Sequence, residues 1–318
     1  MTPLQAVWIT FHIILFFSTW FGNLTVCVAI WQVRKLRTVS NAVIFSLALA
    51  DLIMTVVFGF RIVALSRQTP YPTACHIFSE LAITIICCII LHLACISMDR
   101  FIAIKYPLRY KTVVTRRRMM GVIVAIWLFS VIGTVVFPHS LPKAEYQEFL
   151  EYYDTFHLCR MGNTPHAQVR QFQNTSKVFA ALILVFYFII PFLLIFGSYG
   201  YVIKASRDQQ VKLQNNAHLE SEAMRKIEIR VAVTYGIVIG AFLLCFLPLF
   251  IGFLYQELIT EERSDMTLTM QILSTVASVS ACVNPGVYAW RSQDFRKAFK
   301  KIIIRNSGPK ESRNKRTA

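Results

Sequence analysis

TACHIFSELAITIICCIILHLACISMDRFIAIKY, residues 73–106, decides what kind of protein this is. From Leu81 to Met98 the stretch carries no Asp, Glu, Lys or Arg, and Asp99–Arg100 stand near its end. About 20 apolar residues, coiled as a helix, span the hydrocarbon of a bilayer. Lipid offers nothing to a bare backbone amide, so a lone segment of this length has to bond within itself as a helix. Six further blocks share the pattern: Leu4–Val33, Asn41–Leu65, Met119–Pro138, Ser176–Lys204, Ile227–Tyr255 and Met266–Trp290. The expectation is an all-α membrane protein, a bundle of seven transmembrane helices with no internal repeat. Pro191, Pro248 and Pro285 fall inside blocks five, six and seven. They would break a soluble helix, but neighbouring helices in a bundle can take up the freed carbonyls.

Composition agrees. Of 318 residues, 55% are hydrophobic and 16% charged, where soluble domains average about 25% charged. This excludes a disordered chain, a disulfide-stapled mini-protein and an ordinary soluble enzyme. The net charge of +16 invites a nucleic-acid reading, but its placement argues against one. The links after blocks one, three and five, with the tail after Trp290, hold 25 of the 33 Lys and Arg. The other side holds Arg61, Arg67, Lys143, Arg160, Arg170, Lys177 and Arg263. Basic links stay in the cytoplasm. The expected topology is therefore a multi-pass plasma-membrane protein, N-terminus extracellular and C-terminus cytoplasmic, with no nucleic-acid partner. Block one lacks a basic leader and is followed by Arg34–Lys35, so it reads as a retained helix rather than a signal peptide.

Cys27, Cys87, Cys88, Cys95, Cys245 and Cys282 lie inside blocks and read as small core residues. Cys75 and Cys159 fall on the outer, oxidising side, where one disulfide between them is expected. The histidines show no metal-ligand spacing, so no metal is expected. A membrane enzyme would need convergent nucleophile and acid–base groups, which the pattern lacks. A transporter, the competing class, would need repeats around a midplane site. Polar groups in hydrocarbon are costly and mark function. Here they are Asn23, Asp51, Asp99, Arg100, Glu228 and Asn284.

Their setting carries a resemblance. Gly22-Asn23 in block one, Leu47-Ala48-Leu49-Ala50-Asp51 in two, Asp99-Arg100-Phe101 ending three and Trp127 in four occur in order along the chain. Pro191 with Tyr199, Cys245-Phe246-Leu247-Pro248 and Asn284-Pro285-Gly286-Val287-Tyr288 follow. Together these resemble the rhodopsin-like (class A) G-protein-coupled receptors. Lys105-Tyr106-Pro107-Leu108-Arg109-Tyr110 and Tyr288-Ala289-Trp290-Arg291 look most like adenosine and other small-ligand receptors.

The resemblance implies a ligand-operated switch read by a heterotrimeric G protein. Arg100 would pair with Asp99 and reach Glu228 on helix six, and outward movement of that helix would part them. Ile90, Pro191 and Phe242 match the triad that repacks on activation, Tyr199 and Tyr288 the inner tyrosines, and Asn284-Pro285 the seventh-helix motif. A sodium site would comprise Asp51, Asn23 and Asn284. The chain departs from the family there, with Ile89 where Ser is common and Ser280 where Asn is frequent. Phe246 also stands in place of the usual Trp, and Phe101 in place of the usual Tyr.

Family positions facing the outer cavity map to Phe58, Arg61, Ala82, Ile83, Ile86, Ile183, Tyr187, Phe246, Leu249, Phe250, Phe253, Ser274 and Ser278. Ala82 replaces the Asp of amine receptors, Ser278 the lysine that holds retinal in opsins, and Phe253 the Asn that holds adenosine. These ligands are therefore disfavoured. Arg61 either pairs with Glu80 one helix over or takes an anionic group, which would make the ligand a small acid or lipid. A peptide is also open, since Glu145, Glu148, Glu151 and Asp154 make the second outer loop acidic. Asn174-Thr175-Ser176 is an outer-side glycosylation candidate.

Three parts are expected. Residues 1–292 form the receptor domain, 293–304 an amphipathic surface helix and 305–318 a basic cytoplasmic tail. Phe295, Phe299, Ile302 and Ile303 recur at helical spacing among Arg296, Lys297, Lys300 and Lys301. That suits a helix on the inner membrane surface with its basic face toward anionic lipids. Ser307, Ser312 and Thr317 are few, so arrestin recruitment is expected to be weak.

Overall fold

The computed structural model describes residues 3–66, 72–140, 181–215, 267–291 and 293–307, with 233, 236, 237, 239–252 and 255. Cys159, Asn174, Glu228, Phe253 and the acidic residues 145–154 lie outside the described residues, as does the side chain of Cys75. Within them all regular structure is helical.

The elements are α1 (Pro3–Gln32), α2 (Val39–Ser66), α3 (Pro72–Lys105), α4 (Pro107–Val113) and α5 (Arg116–Val131). After them come α6 (Ile190–Asn215), α7 (Ile239–Gly252), α8 (Thr267–Ser278), α9 (Ser280–Arg291) and α10 (Gln293–Ser307). Blocks one to three are α1 to α3, block four is α5, block five α6, block six α7, and block seven the pair α8–α9. Six runs are long and apolar enough to cross a membrane, and α7 is a shorter apolar helix. Outer faces stay apolar, as at Leu193, Phe196 and Leu244, because lipid rather than water covers them.

α3 is the most enclosed span and packs on α2, α5 and α6. Its Ile85, Ile90 and Leu93 are wholly buried, as are Phe58, Ile195 and Phe242 on other spans. α4 is an addition to the seven blocks. Proline is favoured at a helix start because its missing amide would have no partner there, and Pro107 opens α4 in the link after α3. Thr115 caps α5 by accepting the Arg118 amide.

Two spans widen into π turns. One, Ile132–Val136, closes with the Phe137 amide on the Ile132 carbonyl, and Pro138 follows. The other, Leu184–Ile189, closes with the Ile190 amide on the Val185 carbonyl, and Pro191 follows. A proline ring collides with the carbonyl four residues back. An extra residue in the preceding turn opens the space it needs.

The seventh span is broken instead. Val279 lies between α8 and α9, where its amide bonds to Val276 and its carbonyl to the Cys282 amide, at 3.1 and 3.0 Å. Gly22 on α1 faces Pro285 on α9, and a Cβ at Gly22 would lie 2.9 Å from the proline Cγ. Glycine is what allows this approach. α10 folds against α1 and α9, with Phe295 buried and stacked on Tyr288 at 5.5 Å. Part of its aromatic face therefore meets protein rather than lipid, and the helix runs on to Ser307.

Candidate functional site

The polar residues gather at three levels. At one end, α3, α2 and α4 meet in a closed ring. Arg100 donates through Nε to Asp99 Oδ2 at 3.0 Å, and its Nη2 also bonds Asp99. Nη2 donates to Ser40 Oγ at 2.6 Å. Tyr110 donates its hydroxyl proton to Asp99 Oδ1 at 2.7 Å. That proton being spent, the Ser40 hydroxyl 2.9 Å away must be the donor to the Tyr110 oxygen. Arg100 and Asp99 are 6% and 4% exposed, so the pair is strongly coupled, and removing one member would strand the other. Burial and the neighbouring Asp99 carboxylate push the Tyr110 phenol up to about 12, which keeps it a donor. The resemblance gave Asp99 and Arg100 a role in the switch, placed Tyr110 in a motif without one, and did not include Ser40. The one available signal was Pro107, which starts the short helix that returns Tyr110 to Asp99.

The middle level holds Asp51, wholly buried, with Asn284 donating to its Oδ2 at 3.1 Å. Asn23 does not turn its amide nitrogen to Asp51. It donates to the carbonyls of Thr19 and Ala281, both at 3.0 Å. Among the described residues Asp51 Oδ1 has no hydrogen-bond partner. A hard cation needs several oxygen ligands, and Ile89 offers none. Asp51 is thus the sole anionic donor among the three residues named for sodium.

Nearby, Ser46 accepts from Trp127 Nε1 at 2.9 Å and meets His92 Nε2 at 2.8 Å. His92 is wholly buried, its Nδ1 on the Cys88 carbonyl. A histidine that looked isolated in sequence thus joins α2, α3 and α5. Ile90, Pro191 and Phe242 are all buried, and Phe242 stacks on Phe246 at 4.2 Å. Tyr199 packs beside Gly236, where a Cβ would lie 3.0 Å from its ring.

At the other end Arg61 is 7% exposed. The sequence left open a pairing with Glu80, and the structure corrects it. Arg61 Nη1 lies 3.3 Å from His12 Nε2, and Nη2 lies 3.4 Å from Ser274 Oγ. Glu80 instead approaches His139 Nε2 at 3.8 Å. Ser278 donates to the Ser274 carbonyl.

Phe58, Ala82, Phe246 and Leu249 are buried, while Ile83, Ile86, Ile183 and Phe250 are half-buried. Phe250 stacks on Phe188 at 5.2 Å. Tyr187 departs from its expected place. Its hydroxyl donates to the Phe129 carbonyl at 2.6 Å and its ring stacks on Phe129. It therefore ties two spans together rather than offering its hydroxyl to a ligand.

Known receptors resemble this chain over most of its length. The model of the 7 transmembrane receptor (rhodopsin family) matches residues 22–288. The human histamine H2 receptor is 28% identical over 285 residues, covering 89% of this chain and 75% of that one. The dog adenosine receptor A2a is 30% identical over 312 residues, covering 93% and 72%. The fruit-fly octopamine receptor beta-2R is 27% identical over 332 residues, covering 89% and 58%.

Proposed function

The chain belongs to the rhodopsin family of seven-transmembrane receptors, and from that premise we propose that it relays an extracellular small-molecule signal to a heterotrimeric G protein. The observation that carries this reading is the closed ring of Arg100, Ser40, Tyr110 and Asp99 at one end of the bundle. A guanidinium held by three partners at a nearly buried site is a latch, and it has something to release. In the proposed mechanism Glu228 on the sixth span is a further holder. Ligand binding repacks Ile90, Pro191 and Phe242, the sixth span swings outward, and the G protein enters beside Arg100. Tyr199, Asn284, Pro285 and Tyr288 line the same route.

The N-terminus is extracellular and the C-terminus cytoplasmic, as the basic links require. Cys75 and Cys159 form one disulfide, and Asn174 is a glycosylation site. The basic face of α10 meets anionic lipid, and arrestin is recruited weakly. Relatives named for histamine, octopamine and adenosine support a small ligand. Ala82 offers no carboxylate to an amine, so the ligand is of another class.

The test is nucleotide exchange on a purified G protein, with receptor in lipid nanodiscs at matched amounts. Glu228→Ala is expected to raise exchange without ligand. An unchanged basal rate removes Glu228 from the latch, and no exchange under any condition removes the transducer reading.

A further inference from the structure

We propose that Arg61 anchors a carboxylate of the receptor's ligand, with His12 and Ser274 holding the guanidinium in place. The inference rests on the receptor reading above and names the ligand's chemistry.

The geometry begins with the histidine. His12 Nδ1 lies 2.8 Å from the Trp8 carbonyl, which can only accept, so Nδ1 carries the proton. Nε2 is then a bare acceptor, and it faces Arg61 Nη1 at 3.3 Å. On the other side the Ser274 hydroxyl takes Nη2 at 3.4 Å. Both contacts are long and both partners are neutral.

A guanidinium carries five N–H donors and a full positive charge. Among the described residues no carboxylate lies within salt-bridge distance of it. A charge within a membrane bundle is expensive unless something answers it. His12 and Ser274 fix the orientation of Arg61 and leave its charge unanswered.

Position and surroundings indicate what would answer it. Arg61 lies about 15 Å along α2 from Asp51, toward the end of the helix. That is the opposite end of the bundle from the Arg100 ring. The planar fork of a guanidinium matches the two oxygens of a carboxylate. The other buried side chains assigned to this end, Phe58 on α2, Ala82 on α3, Phe246 and Leu249 on α7, are apolar. They offer no second charge, and Glu80 at this end approaches His139, so the fitting ligand has one acidic head and an apolar body.

The test uses receptor in nanodiscs and matched probes: decanoate against decanamide, and indole-3-acetate against indole-3-acetamide, with decyl phosphate as a further arm. Binding is read as a shift in thermal unfolding midpoint, and nucleotide exchange on a G protein is read in parallel. At least one carboxylate is expected to raise the midpoint by about 2 °C or more at saturating probe, and its amide to raise it less. Arg61→Gln should abolish that shift. Arg61→Lys should keep it with about tenfold weaker affinity, since the charge remains and the fork is lost.

Without probe, Arg61→Gln should unfold no earlier than the parent, because among the described residues no carboxylate answers the Arg61 charge. A clear fall in that unliganded midpoint would make Arg61 a structural strut and overturn the proposal. So would amides that act as well as acids, a shift that survives Arg61→Gln, acids that leave the parent unmoved, or decyl phosphate acting better than decanoate. Carboxylate binding with no nucleotide exchange under any condition, Glu228→Ala included, would sink the transducer reading and leave the anchor standing. Exchange without carboxylate selectivity would do the reverse.

Discussion

The side-chain amide of Asn23 donates to the Ala281 carbonyl at 3.0 Å. Ala281 stands four residues before Pro285, whose ring nitrogen has no hydrogen to give it. A residue on α1 therefore supplies the hydrogen bond that the backbone of α9 lacks. Asn23→Ala should cost about 1–3 kcal/mol, the usual effect of stranding a buried acceptor. In a Pro285→Ala background the new alanine amide reaches Ala281 itself, so the same substitution should cost less. Thermal unfolding of the four proteins checks this, and equal costs in both backgrounds would refute it.

The same two helices meet at Gly22. An added Cβ would stand 2.9 Å from Pro285 Cγ and 3.0 Å from its Cβ, against a rigid ring. Gly22→Ala should therefore cost about 1–3 kcal/mol through overpacking. Gly121 has nothing within 4 Å of its Cβ position. Gly121→Ala on the exposed face of α5 should be neutral, or more stable by up to about 1 kcal/mol from helix propensity. Equal midpoints for the two variants would remove the close approach from the account.

A third glycine makes room for a hydroxyl. A Cβ at Gly133 would fall 2.1 Å from the Tyr187 oxygen, which bonds the Phe129 carbonyl. Gly133→Ala should dislodge Tyr187 and lower the unfolding midpoint. Adding Tyr187→Phe removes the colliding atom, so the double variant should unfold later than Gly133→Ala alone. A double variant that is no more stable would mean the clash is relieved some other way.

These contacts show where the sequence was legible. Membrane helices announce themselves through long apolar runs, because lipid demands both length and internal bonding. α1, α2 and α3 accordingly end within two residues of the expected bounds. The π turns were hidden because proline marks strain without saying how it is relieved. Pro138 and Pro191 both follow a widened turn, whereas Pro285 is served by Asn23. Asp99–Arg100 stood out as charge in an apolar block. Ser40 and Tyr110 did not, since a hydroxyl near a helix end is unremarkable until the fold brings it to a guanidinium. His12 and Arg61 are 49 residues apart in the chain, and no periodicity links them.

Tyr110 carries the last prediction. Its phenol donates to Asp99 at 2.7 Å and accepts from Ser40 at 2.9 Å, joining the serine to the carboxylate. Tyr110→Phe keeps the aromatic body and opens the ring at one atom. Arg100 is then held less firmly, and nucleotide exchange without ligand should rise about two- to tenfold, the worth of one hydrogen bond. The pH dependence separates this phenol from other groups. Its pKa is raised from 10 to about 12 in the folded protein, so its stabilising effect is fully present below pH 10 and lost as pH rises toward 12. The stability difference between parent and Tyr110→Phe should stay constant from about pH 6 to 9, and should narrow only above 10. A difference that changed across the neutral range would assign the effect to another titrating group and take Tyr110 out of the latch.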